Sequence, residues 1–507
     1  MTNPTQVKHV LVLGGGSAGC LAAISLKTKL PHLAVTVLRS SALGVIGVGE
    51  GTTVAVPNFL HGPLAIPPGE FIRRVRPTYK LGLKFLWGPR PYFHYTLDPQ
   101  FNGKFPNLPR EPGYYCHGDI EYASLTSAMM THDRVFARRA DGQPIVMNTH
   151  AYHFENAHLV EFLEQHARKI GVTLDDDTVE SVEQDAHGVS ALACTSGRKF
   201  AADLFVDCSG FASLLLGKTL AEPFRSFKRS LFCDRAVVGG WSRGSDEPIR
   251  PYTTCETMNA GWCWRIDHES RINRGYVYAS DFISDDQAES EFRTKNPRIT
   301  ETRIVKFVSG AYERAWVKNV AAIGNALGFV EPMEATALAG ICHQSNSLSQ
   351  ALLECGGCIN DELLNAHNRI QQTLWDDIRD FLAVHYRFNT RLDTEFWKAA
   401  RNDVEIGEAA QYVDFYKACG PGRFWVNALV KPTSIFGPDG YLTMMIGMQI
   451  PHRNPYQPTA AEKQIWESNR QRFSTIAKAG FEMKEALNIL GRPDYRWDPN
   501  FYNLFRS

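Results

Sequence analysis

The feature that most constrains this chain is a glycine turn set between an apolar run and a helix-forming stretch near its start. His9-Val10-Leu11-Val12-Leu13 reads as a buried strand, Ala18 to Leu26 as a helix and Val35-Thr36-Val37-Leu38 as a second strand. Together they form a βαβ unit. Between the first strand and the helix lies Gly14-Gly15-Gly16-Ser17-Ala18-Gly19. Its glycines at 14, 16 and 19 have the G-x-G-x-x-G spacing. The first permits a tight turn, the second lets backbone approach a pyrophosphate, the third packs helix on strand, and the helix N-terminus attracts the phosphate charge. The acidic residue that commonly ends the second strand and holds ribose hydroxyls is replaced by Arg39-Ser40-Ser41. An arginine there also suits a 2′-phosphate, so NADP competes with FAD for this turn.

The rest of the chain extends this beginning into a large layered body. A length of 507 residues exceeds one simple core, so one large two-layered body or two to three packed domains are expected. The glycine-rich loop Gly44-Val45-Ile46-Gly47-Val48-Gly49-Glu50-Gly51 follows the βαβ unit, and the span from Tyr152 to Gly171 reads as a helix. Val189 to Phe205 reads as a hairpin turning near Ser196-Gly197, feeding the buried strand Leu204-Phe205-Val206-Asp207-Cys208-Ser209-Gly210. Arg250 to Val308 is rich in aromatic and β-branched residues, as for a mostly antiparallel sheet roofing a pocket. Val317 to Gly324 reads as one further strand. Leu338 to Leu353 and Glu362 to Phe388 read as helices, and Cys419 to Pro458 as a looser, turn-rich segment.

The expected fold is α/β: a doubly wound, Rossmann-like domain, which the family resemblance given below implies to be FAD-binding and of the flavin monooxygenase type, an inserted antiparallel sheet and a mainly helical C-terminal region. Residues 1–335 form the expected FAD-binding core, with a roof sheet around 75–150 and 220–310. Residues 336–507 complete the substrate pocket.

Composition removes several classes of function. Lys plus Arg and Asp plus Glu are 54 each, which argues against a polyanion-binding surface and hence against nucleic acid as a partner. No uncharged apolar run is long enough for a membrane span. Eleven cysteines are scattered without the framework of a small secreted domain, and no export signal is visible, so a reduced, cytoplasmic setting is expected. Cys355-Gly356-Gly357-Cys358 has C-x-x-C spacing but lacks a second pair, and His150, His153 and His158 lack a completing carboxylate pattern, so no metal is assigned. In Tyr79 to Phe85 the odd positions share one strand face and leave Lys80 and Lys84 on the other. Pattern alone makes both lysines a wet face.

Several segments, in order, resemble the flavin-dependent halogenases typified by the tryptophan halogenases, over about residues 8 to 460. They are Gly14 to Gly19, Ile46-Gly47-Val48-Gly49-Glu50, Tyr79-Lys80-Leu81-Gly82-Leu83-Lys84-Phe85, Ala151-Tyr152-His153-Phe154 and Asp203 to Phe211. Gly261-Trp262-Cys263-Trp264-Arg265-Ile266 and Gly328-Phe329-Val330-Glu331-Pro332-Met333-Glu334-Ala335-Thr336 complete the set. The resemblance implies FAD contacts at Gly14, Gly15, Gly16, Ala18, Gly19, Ser40, Gly49, Gly51, Val179, Asn325 and Leu338. It implies a halide site at the N–H groups of Thr336 and Ala337, a pocket wall of Trp262 and Trp264, and Lys80 and Glu334 as catalytic residues.

By the same resemblance, reduced FAD with oxygen and chloride or bromide gives hypohalous acid, which Lys80 and Glu334 direct onto an electron-rich arene, a free indole being the first choice. No second nucleotide fingerprint is present, which leaves a separate flavin reductase to deliver reduced FAD. Two residues depart from the family pattern: Asp267 stands for its proline and Ala337 for its usual glycine. A flavin monooxygenase hydroxylating an aromatic substrate, or a non-catalytic flavin-binding homologue, remains the alternative.

Overall fold

The computed structural model describes residues 5–44, 50–103, 105, 107–116, 118–498 and 501–502. Strand β1 (His9–Leu13), helix α1 (Ser17–Lys29) and strand β2 (Ala34–Arg39) form the βαβ unit. Val10, Leu11, Val12, Val35, Val37 and Leu38 are all buried. A parallel sheet covered on both faces has no wet side, so its strands are apolar at consecutive positions.

The chain continues through β3 (Glu50–Gly51), β4 (Thr78–Lys80), β5 (Gly82–Leu86), β6 (Phe93–Thr96), β7 (Ala151–Phe154), α2 (Asn156–Lys169), β8 (Thr173–Asp176) and β9 (Leu204–Asp207). Then come β10 (Arg235–Ser242), β11 (Tyr252–Met258), β12 (Gly261–Asp267), β13 (Arg271–Tyr278), β14 (Thr302–Lys306), β15 (Trp316–Val317) and β16 (Val320–Ala322), followed by α3 (Thr336–Glu354) and α4 (Asp361–Arg387). A six-stranded sheet runs β8-β2-β1-β9-β16-β15. It is parallel except for β15, which turns back on β16. The sheet expected to form the roof is seven-stranded, β14-β10-β13-β12-β11-β5-β6, antiparallel except between β11 and β5. One hydrophobic cluster joins the roof to the C-terminal helices, with Phe85 and Tyr95 beside Phe381 and Tyr441.

The model corrects four local readings. The span from Tyr152 is a strand as far as Phe154 before α2 begins, because β7 pairs with both β3 and β4. Val317 to Gly324 is not one strand, since Lys318 takes φ 53° and reverses the chain between β15 and β16. Cys419 to Pro458 contains two helices, Arg423–Leu429 and Gly437–Gly447, whose glycines and prolines sit at their ends. Tyr79 to Phe85 is likewise not one strand. The chain leaves the small sheet β3-β7-β4 after Lys80 and enters the roof at Gly82, with Leu81 bonded by its N–H to Pro251 and by its carbonyl to Leu97.

Cys355-Gly356-Gly357-Cys358 ends α3. Gly356 and Gly357 take φ 60° and 78°, values that favour glycine. Among the described residues, no helix is long and apolar enough to cross a membrane.

Candidate functional site

The glycine turn is shaped by backbone collisions that only glycine avoids. A Cβ on Gly14, whose φ is +120°, would meet the carbonyl of Cys208 at 2.3 Å, and one on Gly19 would meet the carbonyl of Gly14 at 1.9 Å. Gly16 faces open space and caps α1 with no side chain on the first N–H groups. An uncapped helix N-terminus beside a bare glycine is a cradle for a pyrophosphate, so the residues fit a dinucleotide. Arg39 ends β2, but its guanidinium lies 3.6 Å from Glu164 and 3.4 Å from Asp176. Two carboxylates thus lie beside its charge.

The other expected cofactor positions fall around this cradle. Ser40 Oγ lies 2.7 Å from Thr178 Oγ1, next to Val179. Gly324, at φ +68°, would bring a Cβ within 3.1 Å of Ala18, which places the Asn325 turn against the glycine turn. Asn325, Thr336 and Ala337 line one small cleft together with Phe329, Trp375 and Ile378. Gly49 lies outside the described residues. A Cβ on Gly51 would sit 3.7 Å from that of Ala335, so the end of this loop touches the segment carrying Glu334 and Thr336.

That segment is strained. Glu334 and Ala335 take φ 63° and 56° in succession, at a cost of about 1–3 kcal/mol for each side-chain-bearing residue. The left-handed Ala335 is the N-cap of α3 and offers no side-chain oxygen, so among the described residues no side chain caps the first N–H groups of this helix, an end that suits an anion. Thr336 and Leu338 are buried and Ala337 is exposed.

Lys80 is fully buried. Its Nζ donates to the carbonyl of Thr52 at 2.8 Å, and Thr52 is fixed in turn because the N–H of Tyr152 donates to its Oγ1 at 2.8 Å. Burial pushes the ammonium down to about 8, against the opposing pull of Glu334. The expectation that Lys80 and Lys84 share a wet face fails for Lys80, because the break at Leu81 turns it into the molecule. Lys84 remains half-buried, 3.6 Å over the ring of Tyr92.

Glu334 is buried, with Oε1 3.0 Å from Nε2 of His385, whose Nδ1 is 2.9 Å from the carbonyl of Phe381. The next residue on α4, Tyr386, donates its hydroxyl to Oε1 of Glu331. Trp262 Nε1 donates to the same oxygen at 2.9 Å. Burial raises Glu331 to about 7. The sequence reading missed Thr52, Glu331, His385 and Tyr386. Glu331 stood inside a quoted motif, whereas His385 and Tyr386 are hidden in an ordinary helical pattern.

Trp262 and Trp264 project from one face of β12, both buried, with ring centroids 6.1 Å apart. Opposite Trp264 on β13 is Gly275, where a Cβ would strike the indole at 2.0 Å. Asp267 keeps its strand position and is buried between Arg243 and Arg265, at 2.5 and 3.1 Å.

Residues 9–464 match the family model described as tryptophan halogenase. Tryptophan 7-halogenase RebH of Lentzea aerocolonigenes is 32% identical, covering 82% of each chain. Tryptophan 7-halogenase KtzQ of Kutzneria sp. (strain 744) is also 32% identical, over 96% of this chain and 98% of that protein. Among solved structures, MibH, a lanthipeptide tryptophan 5-halogenase, superposes with a TM-score of 0.87 at 36% identity, covering 97% of this chain and 95% of that one. BrvH, a flavin-dependent halogenase from Brevundimonas sp. BAL3, superposes with a TM-score of 0.84 at 25% identity, over 96% and 99%.

Proposed function

Because the chain belongs to the tryptophan halogenase family, and is thereby an FADH2-dependent enzyme, we propose that it halogenates an indole nucleus through Lys80 and Glu334. The observation that carries this reading is a fully buried lysine whose charge is supported by Glu334, itself buried. A buried charge is costly, and a buried lysine and glutamate acting on one another are better accounted for by chemistry than by stability. FAD fits the cradle of Gly14 to Gly19. When bound in its reduced form it supplies, with oxygen and chloride or bromide, the hypohalous acid that the reaction consumes.

The chain's own residues then have distinct tasks. The N–H groups of Thr336 and Ala337 hold the halide at the start of α3. Trp262 and Trp264 wall the space near the flavin and keep the arene away from it. Lys80 donates a hydrogen bond to the oxygen of hypohalous acid, which makes the halogen more electrophilic and hands the departing oxygen a proton. Glu334 stabilises the cationic ring and takes its proton. A separate flavin reductase delivers reduced FAD by diffusion.

RebH and KtzQ are named for tryptophan and MibH for a lanthipeptide tryptophan. Indole is common to these substrates. Free indole is the proposed substrate here, because no segment resembling an amino-acid grip is found in the sequence.

The test is Lys80→Ala with an external flavin reductase, chloride or bromide, and a panel of indole, tryptophan and a tryptophan-containing peptide. Halogenated product should vanish while a soluble trap still records hypohalous acid. Hydroxylated arene formed equally with and without Lys80 would overturn the proposal in favour of a monooxygenase.

A further inference from the structure

Hydrogen-bond accounting at His385 fixes more than its orientation. Its Nδ1 faces the carbonyl of Phe381 at 2.9 Å, and a carbonyl only accepts, so Nδ1 carries a proton. Its Nε2 faces Oε1 of Glu334 at 3.0 Å. That contact therefore holds one further proton, and in the charged arrangement it lies on the imidazole and leaves Glu334 a carboxylate. Among the described residues no donor meets Oε2 of Glu334. The glutamate side chain keeps 3% of its exposure and the histidine none, so of the two only the glutamate has any open side.

Consecutive residues of α4 thus grip one short loop twice, His385 at Glu334 and Tyr386 at Glu331. The backbone between these glutamates ends in the left-handed pair Glu334 and Ala335. A strained carboxylate-bearing turn keeps its geometry only when neighbours over-determine it. The other titratable groups facing Glu334 are Lys80 of β4, Tyr95 of β6 and Cys255 of β11.

We infer that His385 is the positioning residue for Glu334, holding Oε1 through a shared proton so that Oε2 alone serves as the base toward the ring. The inference rests on the assignment of Glu334 above. The carbon–halogen bond forms as the halogen–oxygen bond breaks, and the oxygen leaves as water with a proton from Lys80. The ring C–H bond then breaks, its electron pair restores aromaticity, and the proton goes to Oε2. Lys80 has lost one proton and Glu334 has gained one, with His385 unchanged, so the net charge of this dry site is the same before and after. Return of the proton from Glu334 to Lys80 closes the cycle.

The experiment compares His385→Phe, His385→Gln and Glu334→Gln using indole carrying deuterium at the halogenated position, scoring halogenated indole per hypohalous acid trapped. Wild type should show no appreciable isotope effect, since a well-placed base removes the proton faster than the halogen bond forms. In His385→Phe the ratio should fall at least about tenfold and an isotope effect above about two should appear. The glutamine variant, whose amide N–H can stand for Nε2–H, should recover much of both. A His385→Phe ratio within about twofold of wild type, or a fall without an isotope effect, would overturn the inference. Full activity in Glu334→Gln would instead overturn the assignment of Glu334 itself.

Discussion

The burial of Lys80 gives a pH dependence whose sign and position follow from the structure. The ammonium is fully enclosed, and desolvation brings it down to about 8 despite the nearby Glu334. Cys255 also faces it and, with Glu334, opposes the loss only in part, while burial disfavours the charged form of His153. If the ammonium is the working form, about ten-elevenths of the enzyme is competent at pH 7 and about one-eleventh at pH 9, so aryl halogenation should fall about tenfold between them. The direction is fixed, because a base with a lowered pKa loses its charge earlier on the alkaline side. The assay is the initial rate of halogenated indole at saturating reduced FAD, run separately with chloride and bromide. Hypochlorous and hypobromous acids lose their own protons at different pH, so an inflection common to both halides belongs to the protein. Lys80→Arg, if it retains any activity, should show no such fall. A rate that is flat or rising from pH 7 to 9, or an inflection that follows the halide, would refute the reasoning.

Other outcomes can be read from the glycines. Gly16→Ala should leave the fold intact, since nothing lies within 4 Å of the new methyl, yet should weaken FAD binding at least about tenfold by occupying the pyrophosphate cradle, as measured by flavin fluorescence titration. Gly14→Ala should instead destabilise the fold by about 2 kcal/mol or more, because it combines a positive φ with a backbone collision; thermal unfolding of the flavin-free protein separates the two. Gly275→Ala forces the Trp264 ring from its seat and should cost about 1–3 kcal/mol by overpacking. It should also raise the share of hypohalous acid escaping to the trap.

The sequence was most informative where local geometry alone decides structure. The βαβ unit, the glycine turn and the long helices α3 and α4 follow from spacing, turn chemistry and apolar periodicity, and the roof sheet from its aromatic and β-branched content. What could not be read depends on partners far along the chain. Lys80 looks like a surface lysine because alternation carries no sign of the sheet change at Leu81, and pairing with β7, some seventy residues later, determines its burial. The left-handed pair at Glu334 and Ala335 has no glycine to announce it. His385 and Tyr386 match an ordinary core face until the loop they hold is folded against them. Asp267 looks like a loss of rigidity until Arg243 and Arg265 are seen to enclose it.

The hand-over at Leu81 also makes the enzyme separable for engineering. The lysine belongs to one small sheet, and β5, β6 and β11 belong to another, joined by a single residue. Under the proposed function, side chains on these strands that face the arene can be randomised to accept bulkier or differently shaped rings without moving the amine, provided no residue is inserted or deleted between Lys80 and Gly82. A one-residue slip there would turn every side chain of β5 to the opposite face. Libraries built on substitution should yield new substrate scopes, and libraries built on length variation at this joint should yield inactive protein.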